Sequence, residues 1–445
     1  MRSVQLWFEQ ALLPHGWARD VRIKIAKGRI ASVETNTPRD TRDEAHAVCV
    51  PGLPNLHSHA FQRGMAGLAE TRGPSSDSFW TWRETMYRFV ERLDPDAFEA
   101  IAAMAFAEML ESGFTRVGEF HYLHRDPSGA AYADPAEMAA RIAAAADETG
   151  IGLTLLPVFY AHSGFGGEAP KPTQRRFIHD LDGYAALLEA SRSAVKPLGD
   201  AVVGVAPHSL RAVTAEELAH VAALAAPIHI HVAEQTKEVD DCIAWSGKRP
   251  VQWLLDNAPV DARWCLVHTT HMTPEESAAL AKSGAVAGLC PITEANLGDG
   301  IFPAPDYLEH GGRFGVGSDS NVLIDAAEEL RLLEYAQRLQ HRARNVFASQ
   351  DGASTGAALF RAALAGGMQA LGAGETADLV SLDLDHPALT GRKEDALLDA
   401  WIFAARAGAI DCVWRQGRKV VRHGRHRARD EIVERYRLAV AKMLG

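Results

Sequence analysis

The chain has 445 residues, 47% hydrophobic and 23% charged, a length and composition that suit one large globular unit with a smaller one appended and exclude a disordered or fibrous chain. Its formal net charge of −11 provides no overall field for nucleic acid or an anionic membrane, so an anionic ligand must be met by local cations. The five cysteines, Cys49, Cys242, Cys265, Cys290 and Cys412, are odd in number and mostly set in apolar runs, unlike a disulfide framework or a paired-thiolate zinc site, and read as reduced packing residues.

At the start, residues 1–13 carry Glu9 and Gln10 inside an apolar stretch and make a poor signal peptide, and no later segment approaches an uncharged membrane span. The expected location is cytoplasmic. Residues 21–26 and 29–33 flank Lys27-Gly28 and predict a hairpin. From 51 to about 370, short apolar runs alternate with helical stretches, the pattern of parallel βαβ units. Eight strands are predicted, at 50–57, 116–119, 152–158, 202–205, 228–232, 264–267, 286–289 and 314–317. After the first, residues 60–92 read as an unusually long loop. A helix then begins at Asp94-Pro95, an N-cap and first-turn proline, and ends at Gly113. Beyond 370, a strand at 377–384 and two at 411–414 and 419–421 around Gln416-Gly417 are expected to share a sheet with the N-terminal segments. The expected fold is α/β: a (β/α)8 TIM barrel over residues 51–370, and a small β domain with a C-terminal helix from residues 1–50 and 371–445. Reactive groups of such a barrel gather where strands end and βα loops begin.

His57 and His59 close the first barrel strand, two residues apart, so strand alternation points both to one face. Two imidazoles there suit a borderline-soft cation such as zinc, although an isolated His-x-His is more often a pair of hydrogen-bonded structural histidines. His231, His268 and Asp319 close strands five, six and eight. Burying five such groups without a shared ion would be costly, which favours the metal reading. His229 lies one pleat deeper and reads as packing. Glu234, three past His231, can overhang the centre as a proton carrier, or else form a surface salt bridge.

The chain resembles the amidohydrolase superfamily, and within it the formimidoylglutamate deiminases. The resemblance runs over essentially the whole chain and is carried by LPNLHSHAFQR at 53–63, PHSLR at 207–211, HVAEQ at 231–235, LVHTTH at 266–271 and CPITEANLG at 290–298, with FWTWR at 79–83. It implies that His57, His59, His231 and Asp319 bind one divalent metal, with zinc expected, and leaves His268 and Glu234 for catalysis alongside Asp319. Strand four, residues 202–207, lacks the lysine that two-metal members use. The implied reaction is hydrolysis of N-formimino-L-glutamate, in histidine degradation, to N-formyl-L-glutamate and ammonia by a metal-activated water. Asp319 with His268 would take the water proton and Glu234 would protonate the nitrogen.

The resemblance also places Gln62, Tyr122, His208 and Arg211 around a dicarboxylate substrate, Arg211 as a two-pronged carboxylate clamp. Simple packing or satisfied loop polarity is the alternative for the first three. Trp82, with Trp80 and Arg83 in the long loop, is expected at the substrate, in a lid or as loop packing. A homodimer is expected. The rival readings are a related deaminase acting on a purine, pterin or adenosine-like ring, and a catalytically inactive scaffold, against which the intact metal positions and Glu234 argue.

Overall fold

The computed structural model describes residues 4–72, 79–406 and 408–445. Strands β1 (Val4–Leu13) and β2 (Gly16–Ala26) pair antiparallel, and β3 (Arg29–Glu34) continues from β2 as the expected hairpin. In β2, Val21, Ile23 and Ile25 are buried between Arg22 and Lys24, a period-two pattern with one covered face. Strand β1 falls outside the sequence expectation. Its polar Gln5, Glu9 and Gln10 obscure the pattern, and pairing with β2 on one edge and β4 (Glu44–Pro51) on the other stabilises it.

The predicted strand at 50–57 is two strands: β4 and β5 (Leu53–Ser58) part at Gly52. A Cβ on Gly52 would lie 2.2 Å from the Thr115 methyl, so only glycine lets the chain pass from one sheet to the next here. The arc β5, β6 (Phe114–His121) and β7 (Gly152–Phe159) is parallel, and β7 also pairs the two-residue strands β8 (Val202–Val203) and β9 (Ala206–Pro207). The expected strand at 202–205 is thus broken into fragments around Gly204, where a Cβ would meet the Pro227 carbonyl at 2.3 Å.

A second parallel arc comprises β10 (Ile228–Val232), β11 (Trp264–His268), β12 (Val286–Leu289) and β13 (Arg313–Val316). Isolated bridges join the arcs, Val205 to Ile228 and Ser209 to His231 on one side and Ser58 to Asp319 on the other. Apart from β8 and the first residue of β13 these strands are buried along their whole length, as parallel strands covered on both faces must be.

The stretch 60–92 is not a plain loop: it holds a 3₁₀ segment, Ala60–Met65, and helix α1 (Phe79–Val90), while residues 73–78 lie outside the described residues. Phe79, Met86, Phe89 and Val90 form the buried stripe of α1, a helical spacing partly hidden by the polar residues between them. Helix α2 (Pro95–Glu111) follows, its N-cap Asp94 accepting from Ala97 N.

The chain returns to the first sheet with β14 (Leu379–Leu382), antiparallel to β4, then β15 (Ile410–Arg415), β16 (Arg418–Arg422) and β17 (Arg425–His426). Arg415, almost fully buried, ties this sheet to the first arc: it donates to Asp378 at 2.5 Å and to Asp200 at 2.6 Å, and Asp200 also accepts from Arg116 of β6 at 2.5 Å. Breaking a buried network by removing one member strands the other charges, at a cost of about 3–5 kcal/mol. We therefore expect Arg415→Met to lower unfolding stability by about 3 kcal/mol at equal metal load, read by denaturant melts. An unchanged midpoint would show that the sheet docks without this network.

Candidate active site

At the C-terminal ends of the two arcs, His57, His59, His231 and Asp319 bring one ligand atom each within 4.8 Å of one another, all buried. Two carbonyls set the tautomers. His59 Nδ1 donates to Phe120 O at 2.9 Å and His231 Nδ1 donates to His208 O at 3.1 Å, which leaves both Nε2 lone pairs facing inward. His57 Nε2 lies 3.0 Å from His231 Nε2 and 3.5 Å from Asp319 Oδ1, and His59 Nε2 lies 3.3 Å from the same oxygen. Burial pushes His57 down to about 3 and lowers His59 and His231, so all three are neutral imidazoles. Burial alone would raise Asp319, but hydrogen bonding to His57 and the neighbouring imidazoles hold it well below the usual carboxylate range. Inward lone pairs and an ionised carboxylate, converging with too few protons between them, are the donor set of a divalent cation, and the residues fit one.

The backbone here is strained. His268 has φ 71°, Asp319 φ 45° and Ala233 φ 54°, left-handed values rare for side chains other than glycine. A side-chain net holds Asp319: Asn321 Nδ2 donates to Asp319 O, His59 O and Ser58 Oγ, Ser318 Oγ donates to Asn321 Oδ1, and Asn55 Nδ2 donates to Ser318 Oγ. The backbone exchanges His59 N to Asp319 O and Asp319 N to His57 O, both 2.9 Å. Gly317 lies so close that a Cβ would meet His57 N and O at 2.7 Å. Glu119, pushed up to about 8 by burial, accepts from Ala60 N and props the same turn from β6.

The cavity around this centre is lined by His59, Gln62, Trp82, Tyr122, His208, Arg211, His231, Glu234, His268 and Asp319, so every anticipated site residue lines it except His57, which is sealed beneath. His268 stands outside the four-atom group; its Nε2 is 3.8 Å from Asp319 and 3.7 Å from Glu234, and its Nδ1 is 3.3 Å from Glu294. Burial would lower His268, but Glu234, Glu294 and Asp319 outweigh it and push it up to about 10. Burial raises Glu234 despite His268 and Arg211 beside it. Arg211 Nη2 is 3.9 Å from Glu234 and 4.0 Å from Glu238, too far for hydrogen bonds, and its buried Nε has no partner. Gln62 Nε2 donates to the Tyr122 hydroxyl at 2.8 Å, leaving its Oε1 unpaired, and the His208 ring packs against Tyr160, centroids 4.5 Å apart and planes tilted by 58°. His229 donates Nε2–H to Ala370 O, a packing role as expected.

Sequence reasoning missed Tyr87, Tyr160 and Phe177 in the wall, and Glu294 behind His268. Glu294 carried a signal, a lone carboxylate in the run Cys290–Gly298. The aromatic residues carried none.

Residues 48–420 match the Amidohydrolase family, and residues 6–47 match the Formimidoylglutamate deiminase HutF, N-terminal domain. The chain is 52% identical to a formimidoylglutamate deiminase of Pseudomonas aeruginosa over 99% of this chain and 98% of that one. It is 28% identical to a 5-methylthioadenosine/S-adenosylhomocysteine deaminase of Natronomonas pharaonis, covering 88% and 86%. Among solved structures, an amidohydrolase from Brucella melitensis superposes with a TM-score of 0.96 at 57% identity, covering 99% of this chain and all of that one. An adenosine deaminase from Xanthomonas campestris with bound zinc shares the fold, with a TM-score of 0.81 at 22% identity over 99% and 98%.

We expect one divalent metal per chain by elemental analysis. His57→Ala and Asp319→Ala should lose it, and His268→Asn should keep it. Metal loss in His268→Asn would make that residue a ligand, and two metals per active chain would overturn the four-residue centre.

Proposed function

The chain belongs to the amidohydrolase family, and from that premise we propose that it hydrolyses N-formimino-L-glutamate to N-formyl-L-glutamate and ammonia, a step of histidine degradation. The observation that carries this reading is a metal-competent centre sharing one cavity with a buried Glu234–His268 pair and an arginine whose guanidinium, among the described residues, is not hydrogen-bonded to a carboxylate. We further infer that the two arcs are the halves of one eight-stranded barrel, with residues 1–50 and 371–445 as a separate β domain.

His57, His59, His231 and Asp319 would hold the cation. Three imidazoles and a carboxylate suit zinc, which when bound supplies a Lewis acid that makes water nucleophilic near neutral pH. Asp319, ionised beside the charged His268, accepts the proton of the attacking water as its oxygen adds to the formimino carbon. Glu234, kept protonatable by burial, protonates the imino nitrogen and, reprotonated with the proton that Asp319 took, the departing nitrogen; the added hydroxyl returns its own proton to Glu234 as the C–N bond breaks, so ammonia leaves and the carbon gains the C=O of the formyl amide. His268, charged among three carboxylates, steadies the oxyanion. Arg211 takes a substrate carboxylate, with Gln62, Tyr122, His208 and Trp82 around the chain of the substrate.

Ammonia release from N-formimino-L-glutamate, run beside guanine and adenosine, tests the reading; release from a ring substrate alone would overturn it. Glu234→Gln should retain metal and lose about 10²–10⁴-fold in kcat. Near-normal turnover would remove Glu234 from the proton path. Arg211→Met should cost about 2–4 kcal/mol in kcat/KM for the dicarboxylate and abolish its preference over a formimino compound lacking one carboxylate, while Arg211→Lys recovers part. A preference left intact in Arg211→Met would show that another group clamps the carboxylate.

A further inference from the structure

Between β7 and the helix Leu181–Val195, residues 172–179 form a strap beside the cavity. Phe177 faces inward, its ring 5.1 Å from Tyr122, 5.9 Å from Tyr160 and 6.1 Å from Tyr87 of α1. The strap is fastened to the first arc: His179 N donates to Tyr160 O, Gln174 Nε2 donates to the Tyr160 hydroxyl, and Arg176 O accepts from His124 N and Arg125 N.

The Arg176 side chain is 1% exposed and does not line the cavity. Its Nε donates to Arg125 O at 2.8 Å, and its Nη1 donates to Leu93 O at 2.9 Å and to Val90 O. Val90 is the last residue of α1 and its carbonyl also accepts from Leu93 N, so the guanidinium sits on the turn that ends the helix, where the peptide dipoles favour a cation. Burying a guanidinium is costly unless its donors are met, and here three carbonyls from two segments meet Nε and Nη1 while Nη2 is unpaired. What it joins is specific. One end of the link is the residue before Phe177, and the other is the helix that brings Phe79, Trp82, Arg83, Met86 and Tyr87 to the cavity.

We propose that Arg176 is a positioning residue, a buried latch that fixes α1 against the strap so that the cavity-facing side chains of the helix and Phe177 meet the substrate in one register. The proposal deepens the substrate reading above and rests on it. Because α1 carries none of the proposed metal-binding or proton-carrying groups, losing the latch weakens substrate capture more than the chemical step.

The test uses metal-loaded full-length protein with Arg176→Gln and Arg176→Lys, the lysine keeping the buried charge where the glutamine variant fails to fold. KM for N-formimino-L-glutamate should rise at least about tenfold in Arg176→Gln, as displacement of a positioning element does. Metal content should hold and kcat should stay within about twofold, with part of KM recovered by lysine. Hydrogen–deuterium exchange without substrate should accelerate in 79–93 and 172–179 and not in β10. An unchanged KM, a kcat that falls as much as kcat/KM, or faster exchange spread evenly over the chain would show that Arg176 only packs. A wild type that releases no ammonia from N-formimino-L-glutamate would overturn the substrate reading, and the exchange pattern would still decide the latch.

Discussion

Three neutral imidazoles and an ionised carboxylate aimed at one buried point impose the constraint on which the rest of the structure depends. In water each lone pair would find a proton donor. Here two of the rings spend their only N–H on the carbonyls of Phe120 and His208, so His231 Nε2 faces His57 Nε2 at 3.0 Å and His59 Nε2 faces Asp319 Oδ1 at 3.3 Å. Such a group is unfavourable by itself, and a divalent cation resolves it. The carbonyls that orient the rings belong to strand ends, so the geometry of the centre is inherited from the two arcs and not from mobile loops.

The centre sits where regular pairing gives out. Among the described residues, the β-pairing of the first and last strands is the isolated Ser58–Asp319 bridge, and the chain there turns through left-handed φ values at Asp319 and Asn321. Such conformations cost of order 1–3 kcal/mol each and persist only when neighbours over-determine them. Asn55, Ser318 and Asn321 do this by satisfying one another and the backbone of both ligand-bearing turns. Gly317 lets the strands approach closely enough for that net to close. Strain, hydrogen-bond net and glycine are one device that delivers Asp319 to the imidazoles.

Much of this was legible in the sequence because metal-competent residues stand at strand ends, and strand ends are marked by apolar runs. His57, His231 and Asp319 could be placed from such runs alone. The boundary at Gly52 could not, since an apolar stretch reads the same whether it stays in one sheet or crosses to another. Strand β1 was hidden by Gln5, Glu9 and Gln10, whose tolerance depends on neighbours far along the chain. Helix α1 was hidden because its buried stripe of Phe79, Met86, Phe89 and Val90 is interrupted by the polar Arg83, Glu84, Thr85 and Arg88. Tyr160 and Phe177 looked like ordinary core residues, for an aromatic side chain carries no mark of whether it faces protein or ligand.

The two kinds of element divide the work. Strand ends supply the groups that need sub-ångström placement, while α1, the strap at 172–179 and the loop bearing Arg211 supply the walls. Walls built this way can change without disturbing the centre, because their side chains bond to one another more than to the imidazoles: Gln62 to Tyr122, Phe177 to Tyr87 and Tyr160, and Arg83 over the Trp80 ring at 4.5 Å. Arg211 is where the two meet. Glu234 and Glu238 stand near enough to balance its charge but too far to occupy its donors, and its Nε is free of protein partners. A buried guanidinium held by charge with its fork unspent is stabilised further by an incoming carboxylate, because that ligand completes hydrogen bonds the protein leaves open. In a chain of net charge −11, attraction for an anionic substrate has to be created locally. Arg211, buried in the cavity wall with its Nε unpaired, is such a local cation.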